Sequence, residues 1–291
     1  MGVFTGSLGA ISGVSHVRNW TIEETSDAKL AVTSATRGGT ARTKGVRSWS
    51  GSASIYGCAP PWMPGDTVSF VGYRNSATDV RNTAGIRSSG SAVIESVAMN
   101  WNWNTNDILN TVISFSGSGP VTHASGVAVV DSAAGNYEGA CPNLPQIALG
   151  ATPTVFAEIP DVISAALTIS NPSKPIVSSS TNCWTQRKRG PAVDFTLSIT
   201  QYNELGIGPI AMRDDCAIRL LNTNAADDFW ELRWCHLTGI TGVTIDVETG
   251  NPIQQTLNFG MNSYAYTANG FIRRPGGTTW WTAVPLSLIH I

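Results

Sequence analysis

The line AKLAVTSAT, residues 28–36, returns as SKPIVSSST at residues 173–181, about 145 residues later. Lys29, Val32, Ser34 and Thr36 match Lys174, Val177, Ser179 and Thr181, which alone carries little in a Ser/Thr-rich chain. The flanks make the case. After the first line, VRSWSGSASIYG sets Trp49, Gly51, Ala53 and Ile55 against Ser48, Ser50, Ser52 and Ser54. After the second, AVDFTLSITQY sets Val193, Phe195, Leu197 and Ile199 against Asp194, Thr196, Ser198 and Thr200. Both have the period of two that marks a half-buried strand. Trp49 precedes Tyr56, and Phe195 precedes Tyr202, by the same seven positions. A chain written this way builds one strand arrangement twice.

The parallel continues. Each half next has a loop rich in helix and strand breakers, CAPPWMPGD from Cys58 and NELGIGPIAMRDD from Asn203, then a short strand, TVSFVGY or CAIRLLN. A long alternating segment follows, SAVIESVAMNWNW in the first half and GITGVTIDVETG in the second. The halves close on TVISF, ending at Phe115, and QTLNF, ending at Phe259. Only ATDVRNTAG near residue 80 and NAADDFWELRW near residue 228 read as helices, and both are short. The fold class expected is mainly β, with two tandem antiparallel sandwich or barrel domains and at most one short helix in each. Residues 1–120 form the first domain, 121–152 a Gly/Ala/Pro-rich connection carrying a short strand VAVV, 153–265 the second domain, and 266–285 a C-terminal segment. The last six residues, LSLIHI, are what translating CTGTCTCTTATACACATC gives, the mosaic end of a transposase used to build sequencing libraries. Residues 286–291 are therefore expected to be an adapter artefact and are set aside from fold reasoning.

Composition narrows the function. Only 13% of the 291 residues are charged and the net charge is −2, so a strongly basic face for nucleic acid is not expected. Uncharged polar residues and 29 glycines take the place of charge, which suits a surface covered by other subunits. No apolar run is long enough to span a membrane as a helix, and no export signal opens the chain. Five cysteines, Cys58, Cys141, Cys183, Cys216 and Cys235, are odd in number with no C-x-x-C pair, and read as free thiols in a reducing compartment.

Catalytic patterns are missing. His16, His123 and His236 lie in unrelated contexts, and His290 falls in the terminal six residues. No H-x-x-x-H pair, nucleophile elbow or phosphate loop occurs. The acid pairs Glu23/Glu24, Asp214/Asp215 and Asp227/Asp228 are adjacent in sequence, and neighbours on a strand point to opposite faces. Neither enzyme, cofactor nor metal is expected. The basic run TQRKRG, residues 185–190, reads as a solvated turn or a partner for acids on a neighbour. Ten tryptophans would suit a sugar-binding adhesion module if exposed, but Trp101 and Trp103 share the parity of Val97 and Met99 and read as one packed face.

The strand SWSGSASIYG, the loop PPWMPGD, the alternating strand with its preceding glycine and the closing SFSGSG together resemble the tail tube, or major tail, protein family of tailed bacteriophages. The resemblance covers residues 15–118 best. It implies a structural virion protein whose β-domains assemble six to a ring around a lumen for DNA, the rings stacking into the tail. Two fused domains per chain then imply three chains per ring. The partners implied are further copies of the chain, the tape-measure protein, and tail terminator and distal tail proteins, with DNA present only in transit. The place implied is the virion tail, after assembly in the bacterial cytoplasm. The family's lumen presents acidic or neutral residues, and the candidates on polar strand faces are Glu95, Asp194, Asp246 and Glu248. Trp49, Trp101, Trp103, Phe115, Phe195 and Phe259 are expected in the core or at interfaces. The alternatives are another virion β-protein, such as a capsid decoration or tail terminator subunit, and the carbohydrate-binding module.

Overall fold

The computed structural model describes residues 2–276 apart from segments 75–84, 128–143, 203–213, 223–227, 245–253 and 262–271, and positions 7, 13–16, 33–34, 36, 38, 44, 58–59, 61, 106, 151–152 and 191. The first half holds β1 (Gly2–Gly6), β2 (Leu8–Ile11), β3 (Val17–Ser26), β4 (Lys29–Ala31), β5 (Ala41–Thr43), β6 (Arg47–Tyr56), β7 (Thr67–Tyr73), β8 (Gly85–Asn102) and β9 (Asn110–Val127). The second holds β10 (Gln146–Leu149), β11 (Ala157–Glu158), β12 (Val162–Ser170), β13 (Lys174–Ile176), β14 (Gln186–Lys188), β15 (Asp194–Tyr202), β16 (Asp215–Leu221), β17 (Phe229–Thr244), β18 (Gln254–Met261) and β19 (Ile272–Arg273). The protein is nearly all β, and every ladder between these strands is antiparallel.

The repeat read in sequence is a repeat of pairing. In the first half β3 pairs β6, β6 pairs β9, β9 pairs β8 and β8 pairs β7, which also pairs β2. In the second half β12, β15, β18, β17, β16 and β10 follow in the same succession. Register agrees as well: Ile22 stands opposite Gly51 and Gly51 opposite Phe115, while Leu167 stands opposite Leu197 and Leu197 opposite Phe259. The doubled line that opened the comparison is not part of the main sheet. Its copies, β4 and β13, each form a small two-stranded hairpin, with β5 and β14.

Alternation produces these strands. Along β15 burial reads exposed, buried, exposed, buried from Asp194, with Phe195, Leu197 and Ile199 inside. Burying each such side chain stabilises the fold by about 1.5–3 kcal/mol. Phe195 lies in the same core as Phe259, which stands opposite Leu197. The buried apolar residues of both halves form a single contiguous cluster.

The halves fill their cores differently. Gly51, where the second half has Leu197, leaves room for rings: a Cβ there would sit 2.8 Å from Phe115 Cε2 and 2.3 Å from the Thr21 carbonyl oxygen. Phe70 contacts the rings of Trp20, Trp49 and Phe115, and Trp49 also meets Phe115 edge to face. The Trp49 indole lies across Gly117 and donates from Nε1 to the Gly119 carbonyl at 3.0 Å. In the first half, large rings thus fill the space that Gly51 leaves.

One sequence expectation needs correction. In the described part of NAADDFWELRW the helix is replaced by strand: Phe229–Trp234 opens β17, which continues through GITGVT. A non-glycine bulge at Trp234, with φ 58°, bends that strand where its register against β16 shifts between Cys216 and Ile218. No α-helix occurs among the described residues, and a 3-10 turn spans Ser179–Thr181. Most of ATDVRNTAG lies outside the described residues. β9 runs to Val127, and β10 pairs with β16 of the second half. Of VAVV only Val127 is described.

Candidate self-assembly edges and polar face

β8 is 18 residues long because it serves two partners along one side. Arg87–Val93 pairs with β7, and Ser96–Asn102 pairs with β12 of the second half. Between these stretches the register against β9 shifts at Ile94/Ser96, a β-bulge that takes Glu95 out of the alternation. The β8–β12 ladder fuses the halves into one 15-stranded sheet. Val97 faces Ile169 and Met99 faces Leu167 across it, all four fully buried.

Further contacts lock the junction. Glu95 accepts hydrogen bonds from the Ser173 backbone N–H at 2.6 Å and from the Ser173 hydroxyl, and its carbonyl accepts from the Asn171 N–H at 2.8 Å. The arm carrying β13 and β14 reaches over the first half. Arg47 N–H donates to the Cys183 carbonyl and Thr185 N–H to the Arg47 carbonyl, both at 2.8 Å, and the Arg187 N–H donates to Ser118 Oγ at 3.0 Å. The Arg47 guanidinium lies 5.5 Å from the Trp184 ring centroid. The basic run is therefore partly β14 of this arm.

The second half repeats the long strand and its bulge. β17 shifts register against β18 at Leu237/Gly239, and Leu237 stands opposite Phe259 as Ile94 stands opposite Phe115. Ile240, opposite Leu257, corresponds to Val97, opposite Ile113. Val97 is 0% exposed under β12, whereas Ile240 is 44% exposed, because among the described residues no strand pairs with that side of Gly239–Thr244. At the opposite end of the sheet β3 corresponds to β12. Its outer edge, from Trp20 to Glu24, is paired with β1.

One face of the joined sheet is polar and carries little charge. Directly opposed residues share a face, so Asn110, Asn100, Ala166, Ser198, Asn258 and Gly239 form one row across six strands spanning both halves. Ser96 and Ser114 bond at 2.5 Å, Ser198 donates to Asn258 Oδ1 at 3.0 Å, and Thr200 and Thr256 bond at 3.0 Å. Asp194, paired with Ser170, is exposed on this face.

The expected acids thus separate. Asp194 stands on the open face, Glu95 is tied to Ser173, and Asp246 and Glu248 lie outside the described residues. Trp49, Trp101, Phe115, Phe195 and Phe259 are buried, and Trp103 packs against the same core. None of the eight described tryptophans is exposed, and Trp280 and Trp281 lie outside the described residues.

A groove of about 450 Å³ lies between Glu24, Arg47, Val121, His123 and Trp184. At its wall Arg74 Nη2 donates to His123 Nδ1 at 2.6 Å, leaving Nε2 to donate to Glu24. Burial lowers the Arg74 pKa, opposed by the Glu24 charge. Elsewhere the buried Glu231 carboxylate is held by Arg219 at 3.0 Å and Arg233 at 2.8 Å. These are closed structural pairs. Among the described residues no group of three or more His, Cys, Asp or Glu could hold a metal ion, and no helix is long and apolar enough to cross a membrane. Cys183, Cys216 and Cys235 are free, while Cys58, Cys141 and His16 lie outside the described residues.

The sequence pattern missed the β8–β12 ladder and β1. Only the even alternation of GVFTG could have signalled β1, and no local pattern names a strand's distant partner. No protein-family model matches the chain, and no curated protein matches it.

Proposed function

We propose that this chain is a structural, non-catalytic subunit that polymerises edge to edge, as the tail tube protein of a tailed bacteriophage does. The observation that carries this reading is the β8–β12 ladder, which joins two equivalent halves side by side through main-chain hydrogen bonds and buried Val97, Met99, Leu167 and Ile169. An arrangement that joins one wedge to the next inside a chain can join chains by the same geometry, and three chains close a ring of six wedges. Closure removes the exposed sheet edges that a free sheet of this size would present. The Ser/Thr/Asn face supplies a lumen lining that does not hold phosphates, with Asp194 adding repulsion, so DNA passes without binding. Fusing two wedges also makes alternate lateral contacts intramolecular, which raises their effective concentration. Stacked rings would meet the tape-measure, terminator and distal tail proteins in the virion tail.

The experiment is negative-stain electron microscopy of the purified chain with its mass in solution. The reading requires annular or tubular particles with three chains and six lobes per ring. Two-lobed single chains that fail to polymerise at any concentration would reject it.

A further inference from the structure

The repeat places two strands in one position. On β12, β8 covers Ser164–Ser170. The corresponding stretch of β3 is Asn19–Thr25, since Ile22 and Leu167 share their pairing with Gly51 and Leu197. There β1 covers Trp20–Glu24. Phe4 stands opposite Ile22 as Met99 stands opposite Leu167. The first strand therefore does locally, for the first half, what a long strand from a neighbouring half does for the second.

The substitution is a weaker fit than the original. Met99 is 0% exposed, whereas Phe4 is only half-buried, packed against His123 with the Arg74 guanidinium 3.6 Å from its ring centroid. β1 supplies five residues against seven paired positions on β12, and Val3 remains 60% exposed. Meanwhile, among the described residues, the strand equivalent to β8, the C-terminal part of β17, has a side that no strand pairs with, and Ile240 there is 44% exposed.

We infer that the outer edge of β3 is the acceptor for Gly239–Thr244 of β17 from a second copy of this chain, and that β1 is a removable cover which must leave that edge before copies join. This rests on the polymerising function proposed above. By the register of the internal junction, Ile240 of the incoming copy comes opposite Glu24, with Ile22 as its diagonal apolar neighbour. The main-chain ladder supplies affinity, as in other strand additions to a sheet edge. While β1 is seated, the edge is blunted and single chains do not pair indiscriminately. Exchange of β1 for β17 then sets the rate at which rings close.

The test locks the cover. Val3 and Glu23 are directly opposed and share the polar face, so a Val3→Cys/Glu23→Cys chain can be bridged by oxidation; Cys183→Ser removes the thiol that is exposed among the described residues, and Cys58→Ser and Cys141→Ser remove the two thiols outside them. Peptide mapping verifies the bridge. A Phe4→Ala variant loosens the cover without a bridge. Assembly is followed by light scattering and electron microscopy. The inference requires that the wild-type chain assembles, the oxidised chain stays single, reduction restores its assembly, and Phe4→Ala assembles at lower concentration. Oxidised chains that assemble as the wild type does would overturn the removable cover while leaving the polymerising function standing. A wild-type chain that never assembles overturns both.

Discussion

Replacing Glu95 with Ala tests whether this acid is a luminal charge, as its place in the sequence suggested, or a clasp between the halves. Its carboxylate takes two hydrogen bonds from Ser173, one from the backbone N–H at 2.6 Å and one from the hydroxyl. A hydrogen bond to a charged acceptor contributes about 1.5–3 kcal/mol, and a half-exposed site lies at the low end. The Asn171 N–H keeps its bond to the Glu95 main-chain carbonyl in the variant, so that contact cancels. The expected loss is about 2–3 kcal/mol for Glu95→Ala and about 1 kcal/mol for Ser173→Ala, which removes only the hydroxyl. The two changes share a bond, so the double variant should cost less than their sum by about 1 kcal/mol. Urea unfolding of single chains, read through tryptophan fluorescence, measures all three. A Glu95→Ala loss below about 0.5 kcal/mol, or strict additivity with Ser173→Ala, would refute the clasp.

Gly117→Ala places a Cβ 2.1 Å from two indole atoms of Trp49, so the ring must leave its bond to Gly119. Overpacking and the lost bond together should cost about 2–5 kcal/mol, and Trp49→Phe in the same chain should recover part of it in urea unfolding. Burial, with Cys216 alongside, pushes the Cys235 thiol well up, so its folded pKa lies above its unfolded one. Its stabilisation is therefore complete below about pH 8.5, the unfolded thiol value, and is lost as pH rises from there toward the folded value. Unfolding midpoints measured across that range should fall, and Cys235→Ala should flatten the decline. Lysines at Asp194 and Thr196, both exposed on the polar face, should leave tubes intact but make them retain DNA in low salt and release it in high salt, measured by co-sedimentation. Equal retention by the unmodified chain would remove the lumen assignment.

What the sequence determined by itself was periodic and local. Alternation around Trp49, Phe195, Phe115 and Phe259 specified the strands, their buried faces and their repetition, because side-chain direction in a strand follows parity alone. Low charge and the lack of catalytic spacing gave only expectations about function. Pairing between distant strands was decided only by the tertiary structure. Ser96–Asn102 lies against β12, Trp20–Glu24 lies under β1, and Phe229–Trp234 is strand although its local pattern suits a short helix. Glu95 shows the reason most sharply. Parity predicts an outward acid, but the bulge at Ile94/Ser96 breaks the alternation and aims the carboxylate at Ser173, a residue from the other half of the chain. Ladder hydrogen bonds are the same for every residue type, so sequence can announce a strand without naming its neighbour. Burial across the assembled sheet makes that choice, covering Val97 and leaving Ile240 open.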